Sequence, residues 1–295
     1  MGEWKKCKLV DVADKFAMGP FGSNIKAENF IATGVPVIRG TNLNYPKYVD
    51  GDFVFLSEEK ANQLKSSNCF PGDLVFTHRG TLGQVCLIPE GKYCRYVVSQ
   101  SGMKLSVKKD TLDNHFLFYF FKSNIGLNEL LQHEAQVGVP SISNPLTSLK
   151  SVNIFLPPLL EQRAIAGVLS SLDDKIDLLH RQNKTLEAMA AALWRKMFVE
   201  DADPNWKKGK LENIADNIRQ GVSVKNLQDY DHYVGLEHIE RQHFALYHWG
   251  NVADISSNKS VFQKGDILFG KLRAYFHKVC FTPIEGICST DILVI

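Results

Sequence analysis

The chain repeats itself, and no other feature narrows its fold as much. Trp4-Lys-Lys-Cys-Lys-Leu9-Val-Asp-Val-Ala13 aligns with Trp206-Lys-Lys-Gly-Lys-Leu211-Glu-Asn-Ile-Ala215 at an offset of 202, and Gly19 falls on Gly221 at the same offset. Farther on, Phe70-Pro-Gly72-Asp73-Leu-Val-Phe76 matches Phe262-Gln-Lys-Gly265-Asp266-Ile-Leu-Phe269 across a small gap. At an offset of 194, Arg79, Val85, Cys86, Pro89 and Cys94 fall on Arg273, Val279, Cys280, Pro283 and Cys288. A period this long is a duplicated domain, not a solenoid repeat. One period is 202 residues, 206 minus 4, whereas 89 residues, 295 minus 206, follow Trp206, so the second copy is short by about 113. Asp291-Ile-Leu-Val-Ile295 reads as the middle of a strand. The expectation is a truncated or split protein.

Residues up to about 155 read as short strands: Val35–Ile38, Asp73–Phe76, Gly83–Ile88, Tyr96–Val98 and Met103–Val107 are apolar or β-branched runs bounded by Gly, Pro, Asn and Ser. Asn114–Lys122 is apolar on nearly every side and suits a short buried helix, and a second helix is expected over Gly126–Glu134.

From Pro157-Pro158 the pattern changes. No Gly or Pro follows Gly167 through Val199. Ile165, Leu172, Leu179, Leu186 and Leu193 recur every seven residues, and Leu169, Ile176, Asn183, Ala190 and Met197 fall four after each. Five heptads of a coiled-coil seam result, on a rod of roughly 60 Å. Each seam position is worth roughly 1.5–3 kcal/mol when fully buried, so the seam calls for a partner helix. The matching helix of the second copy is the expected partner. Asn183 reads either as a register-setting polar position or as a polar residue on a tolerant stretch of helix.

Composition removes several classes of function. With 44% hydrophobic and 22% charged residues the chain is not disordered, collagen-like or a disulfide scaffold. A formal charge of +2 excludes a protein that coats DNA by bulk charge, but a reader with locally clustered basic residues fits. No apolar run reaches membrane-spanning length, and the N-terminal Met1–Lys8 segment has no apolar signal region. Six cysteines at 7, 69, 86, 94, 280 and 288 form no Cys-x-x-Cys, which predicts reduced thiols and a cytoplasmic location. His232, His238, His243 and His248 share no metal-ligand spacing.

Catalytic patterns are missing as well. The Pro-Pro of Leu156-Pro-Pro-Leu159 offers no amide or carboxylate to a base, and Asn144-Pro145-Leu146 lacks the second Pro and the aromatic of an adenine methyltransferase motif. Glu58-Glu-Lys60 and Asp173-Asp-Lys175 have a nuclease-like acid-x-Lys spacing but read as solvated charges. No Walker loop occurs. The chain therefore reads as a binder, with no catalytic residue, metal or cofactor expected.

Base readout needs paired donors and acceptors on loops held by a rigid scaffold. Four segments fit: Gly19–Lys26 with Ser23, Asn24 and Lys26; Arg39-Gly-Thr41-Asn42; Thr77–Gln84 with His78, Arg79, Thr81 and Gln84; and Ser99-Gln100-Ser101. Their counterparts are Gly221–Asn226 with Ser223 and Lys225, Gly235–Ile239, Lys271-Leu-Arg273-Ala-Tyr275, and Ser289-Thr290-Asp291. The segment Gln136–Asn144 is a further DNA-side loop or the turn leading back to the helix. The copies differ most in these loops and least in the scaffold between them. Arg79 and Arg273 stand out because they recur, and either base reading or phosphate anchoring would account for them.

Together, the duplicated Trp-x-x-x-x-Leu-x-x-x-Ala opening, Arg39–Asn42, the segment Pro71-Gly-Asp-Leu-Val-Phe-x-x-Arg-Gly-Thr-Leu-Gly83 and the junction Leu156-Pro-Pro-Leu-Leu-Glu161-Gln162 before a heptad helix resemble the specificity (S) subunit of type I restriction–modification systems. The resemblance covers essentially the whole chain. It implies an α+β protein with two tandem target-recognition domains, 3–156 and 204–295, the second incomplete, separated by a coiled-coil spacer helix over 157–200. It further implies a non-catalytic subunit that reads a split site on double-stranded DNA. Methyltransferase subunits and restriction/motor subunits would be its partners, with adenine methylation and restriction as the outcome. Three other readings stay open: a half-type subunit that homodimerises through 160–199 on a palindromic site, a non-functional remnant, and the recognition region of a single-chain restriction enzyme, against which the Met1 start counts.

Overall fold

The computed structural model describes residues 4–135, 138–241 and 243–295. The chain divides into two compact units, Met1–Leu178 and Leu179–Ile295.

The first unit is built in four layers. An antiparallel sheet runs in the order β2 (Ala13–Met18), β9 (Gly102–Val107), β6 (Leu74–Thr77), β7 (Val85–Leu87). A second sheet runs β4 (Val54–Leu56), β3 (Val35–Ile38), β8 (Tyr96–Val98), β5 (Asn68–Cys69), with β3 and β8 parallel. Val75 and Cys86 of the first sheet pack against Ile38, Cys69, Tyr96 and Val98 of the second. On the outer side of the first sheet, Leu74, Phe76, Val85, Leu87, Met103 and Leu105 meet Phe116, Leu117, Phe118 and Phe121 of helix α3 (Asn114–Lys122). On the outer side of the second, Val35, Val37 and Leu56 meet Ala61 beside helix residues of α2 (Glu58–Gln63). Both faces of both sheets are covered, which is why these strands read as continuous apolar runs without alternation.

Asp113 starts α3 by accepting the Phe116 amide at 2.9 Å. Helix α4 covers Asn124–Leu131, earlier than the expected 126–134, because Ser123 caps it through the Gly126 amide. Glu134 lies in β10 (Glu134–Ala135), paired with β11 (Ser141–Ile142). Helix α5 (Pro145–Ser151) leads into β12 (Asn153–Leu156), which pairs with the N-terminal strand β1 (Lys5–Lys8). The turn α1 (Leu9–Val12) follows β1 and buries Leu9 and Val12 against this helical layer.

After Pro157-Pro158 the long helix α6 runs Leu159–Arg195 and continues as a π-helical turn over Lys196–Glu200. Gln162 and Ala166 are buried by the first unit, and Ile165 packs against its core. The Gln162 carboxamide accepts the Asp113 amide at 2.9 Å and donates to the carbonyls of Thr111 and Pro157 at 3.0 and 2.8 Å. This gives the Leu-Pro-Pro-Leu-x-Glu-Gln pattern its physical meaning: the prolines open the helix, and the glutamine fastens its first turn to the domain.

The second unit repeats the two-sheet order except at its N-terminal strand, which joins the larger sheet instead of pairing as β2 does with β9. Its five-stranded sheet runs β13 (Gly221–Val222), β16 (Lys259–Phe262), β19 (Gly286–Cys288), β14 (His232–Val234), β15 (Gly250–Asn251), and its three-stranded sheet runs β18 (Val279–Phe281), β17 (Ile267–Gly270), β20 (Ile292–Val294). The parallel pair β14–β19 matches β3–β8, and Leu268 faces Cys280 as Val75 faces Cys86. Register corrects one part of the sequence alignment. Val234 faces Cys288 as Ile38 faces Val98, so Cys288 is the counterpart of Val98, not of the exposed Cys94. The cause is a shorter connection: 12 positions lead from Cys86 to Val98, but 8 from Cys280 to Cys288.

One face of the second unit is bare. Leu211 and Ile214 are 65% and 85% exposed, where Leu9 and Val12 are 0% and 7%. Ile267 and Phe281 are likewise exposed, where Leu74 and Leu87 are buried. In the first unit these positions are covered by the layer of α3 to α5 and β12. Among the described residues no helix is long and apolar enough to cross a membrane.

Candidate nucleic-acid interface

The parallel run of β3 and β8 brings Ile38 and Val98 to the same edge, and the antiparallel register of β2 and β6 on β9 brings Met18 and Thr77 there too. Four loops therefore leave the scaffold at one end and are tied together. The Ser99 amide donates to Ile38 O at 2.9 Å, the His78 amide to Ser101 O at 2.9 Å, and the Gly19 amide to Gly102 O at 2.9 Å. A side chain at Gly19 would place its Cβ 1.7 Å from Ser99 O, so glycine there lets the first loop lie on the fourth. A fifth strip joins them: Gly80 donates to Pro140 O and Ile142 to His78 O, both at 2.9 Å. Of the proposed loop 136–144, Gln136 and Val137 lie outside the described residues.

The rim presents much of what the sequence reading selected. Asn24, Lys26, Arg39, Thr41, Arg79, Thr81 and Gln100 are exposed, and Ser101 is half-buried with its hydroxyl 3.3 Å from that of Ser99. Ser23 lies in the 3-10 turn Gly22–Asn24. Lys26 stands 3.7 Å from Glu28, and Arg39 reaches Asp52 O at 3.4 Å. Gln84 is half-buried, its amide given to the Asn44 carbonyl oxygen.

Two residues are corrected. Asn42 is buried: its carbonyl oxygen accepts the Arg39 amide at 3.0 Å and its NH2 donates to Asp50 O and Asp52 O at 2.9 and 3.1 Å. Both donors are spent on shaping the loop, leaving none for a base. His78 is also buried, and its Nε2–H donates to Gln100 O at 3.0 Å. Burial, reinforced by the neighbouring Arg79 charge, holds its pKa below the ordinary value, so it offers no cation to a phosphate. Its work is to brace the third loop on the fourth.

The second unit repeats two of these ties. Ser289 donates to Val234 O at 3.0 Å and Lys271 to Asp291 O at 2.8 Å, as Ser99 and His78 do. The Gly235 amide donates to His238 Nδ1 at 2.9 Å, as Arg39 donates to Asn42. On this frame Ser223, Lys225, Lys271, Arg273 and Tyr275 are all exposed. Ser223 and Lys271 line an open cleft of about 690 Å³ together with Arg219, Asn258 and Thr290. Arg273 adopts the left-handed conformation (φ 52°), with its guanidinium 5.8 Å from the Phe276 ring, over which Arg241 also lies at 3.5 Å. Among the described residues no group of three or more His, Cys, Asp or Glu could hold a metal ion.

The predicted helix seam divides in two. Ile165 and Leu169 are half-buried, whereas Leu172, Ile176, Leu179, Leu186, Leu193 and Met197 are exposed. Asn183 hydrogen-bonds the Tyr247 hydroxyl, and with Leu186, Ala190, Phe244 and Phe281 it lines an apolar groove of about 460 Å³. Its amide thus has a partner inside its own unit. The sequence reading of Asp173 as a solvated charge is also corrected, because the Tyr119 hydroxyl donates to it at 2.6 Å; Asp174 stays exposed, as that reading has it, and pairs with Lys47 at 3.3 Å. Neither Tyr119, inside a helix read as buried, nor Lys47 was singled out by the sequence.

The geometry is that of a layered scaffold presenting variable polar loops at one end of each unit, and comparison with known proteins agrees. The family model described as the type I restriction modification DNA specificity domain matches residues 1–188, and the chain belongs to that family. Over 237 residues it is 26% identical to the type I restriction enzyme MjaIX specificity subunit of Methanocaldococcus jannaschii, covering 77% of this chain and 51% of that protein. Over 149 residues it is 27% identical to the HindI specificity subunit of Haemophilus influenzae, covering 50% and 31%. The chain spans about half the length, or less, of these curated relatives. The crystal structure of the type I restriction–modification S subunit from M. genitalium shares the fold, with a TM-score of 0.52 at 16% identity over 99% of this chain and 71% of that one.

Proposed function

We propose that this chain is the DNA-reading component of a type I restriction–modification complex. Each rim reads one half of a split site on double-stranded DNA, and the chain itself does no chemistry. Methyltransferase subunits carry out adenine methylation and motor subunits restriction, both at the site the rims select. The observation that carries this reading is the repeated rim: the same two backbone ties, Ser99 to Ile38 with His78 to Ser101 and Ser289 to Val234 with Lys271 to Asp291, hold loops whose side chains differ between the units. Arg39 gives way to Gly235, His78 to Lys271 and Gln100 to Thr290, while the third loop of each unit carries an arginine, Arg79 and Arg273. A frame that is constant and side chains that vary are what two different half-sites require.

Selection of bound duplexes from a random pool tests it. We expect an enriched half-site and binding that weakens steeply with salt, since phosphate contacts release counterions. Recovery of unenriched sequence would remove the reading. A second reading is favoured by the exposed run Leu172 to Met197: two copies pair through this helix and read a symmetric site. A palindromic product of the same selection would support it.

A further inference from the structure

We propose that Asp173 and Asp174 are positioning residues: they lock the first recognition unit at one angle on its helix and so fix the spacing at which its rim meets DNA. The inference rests on the DNA-reading function above and adds a device to it.

The first unit grips α6 at two levels. At the base, Gln162 makes its three bonds and Trp4 Nε1 donates to Glu161 at 3.2 Å. Farther along, Tyr119 from α3 donates to Asp173 at 2.6 Å and lies 3.4 Å from the Ser170 hydroxyl. Lys47 reaches Asp174 at 3.3 Å from the loop that begins at the rim residues Arg39–Asn42. The Lys47 side chain is 8% exposed, and its ammonium finds its counter-charge in the carboxylate of Asp174, which is itself 70% exposed. An ordinary surface pair would contribute little; a buried cation that needs one particular helix residue ties the loop to that helix.

The two levels are 11 residues apart, roughly 17 Å along a helix. A single anchor is a pivot, and a second one fixes the angle. A unit of this size has a radius of gyration of roughly 16 Å, so a tilt of about 12° about the base moves a point at that radius by about one base-pair rise, 3.4 Å. Leu172 and Ile176 beside the clamp stay exposed, so the grip leaves the seam available to a partner helix.

The test uses the full chain carrying Asp173→Asn and Asp174→Asn, which keep shape and helix. Spin labels at Glu59→Cys and Ser171→Cys, in a Cys7→Ser, Cys94→Ser background, report the angle through electron–electron dipolar distances. We expect a narrow distribution without the clamp substitutions and one at least twice as broad with them, restored when the acids are returned. With the methyltransferase partner, the doubly substituted chain should keep its half-site sequences yet mark sites one base pair longer or shorter in spacer at least tenfold more often. An unchanged distance distribution, or a broadened one with an unchanged spacer, overturns the proposal. If the unsubstituted chain directs no methylation at all, the functional reading falls, and the distance measurement alone decides whether the clamp exists.

Discussion

Gln162 and Asn42 show how one amide can decide a local structure. Each spends its hydrogen-bonding capacity on backbone, Gln162 at the helix junction and Asn42 at the turn after β3. Replacing Gln162 with Ala strands those groups in a buried site, and we expect a loss of about 2–4 kcal/mol in urea unfolding, at roughly 1 kcal/mol per bond plus the desolvation left uncompensated. The sequence marked both positions but not their roles. A polar residue at a strand end reads equally as a base contact or a cap, and the second copy could have separated these, because His238 keeps the acceptor while changing the residue. Histidines supply a pH signature. Burial holds His78 and His115 below the ordinary value, so the unfolded chain binds their protons first as pH falls through about 6.5. Their contribution is intact above that pH and declines below it. We expect thermal stability to fall between about pH 7 and pH 5, and less steeply in the His78→Gln, His115→Gln chain. An identical slope in the two would contradict this.

At the scale of elements, the strands, α3 and the long helix were legible, since runs of buried residues and a seven-residue period leave strong patterns. Boundaries were not: α4 begins where Ser123 caps it, and β1 was missed because Lys5–Lys8 is exposed in the pattern and exists only by pairing with Asn153–Leu156. Nor did the heptads reveal that their first positions are used against the domain, that Asn183 bonds Tyr247, and that the later leucines stay exposed. The exposed part should therefore carry association alone. Leu179→Glu with Leu186→Glu is expected to abolish pairing with a partner helix, measured by light scattering of the complex, while the far-ultraviolet helix signal changes by less than about a tenth. A partner bound equally well by the doubly substituted chain would contradict that division. Thiols follow the layers as well. Cys86, Cys280 and Cys288 are buried and pushed up to about 12, 11 and 12, so alkylation at pH 8 should reach the exposed Cys94 and spare them.

For the molecule as a whole, the duplication visible in sequence reappears as matching registers in both sheets and two matching loop ties, and the connection before β19 moves the counterpart of Cys288 from Cys94 to Val98. What the alignment did not convey is how unequal the copies are in cover. Leu211, Ile214, Ile267 and Phe281 lie open where their counterparts are sealed, so backbone amides at 206–215 should exchange hydrogen much faster than those at 4–13. Equal protection would mean that something covers this face. The central claim is that the rims choose the DNA. The most direct test is to express the chain with its methyltransferase partner in a methylation-free host and map N6-methyladenine. We predict a split motif, and with Arg79→Ala, which should cost about 1–3 kcal/mol if it reads a base, relaxed sequence at one half only. A map without a split motif, or one that Arg79→Ala leaves untouched, would contradict it.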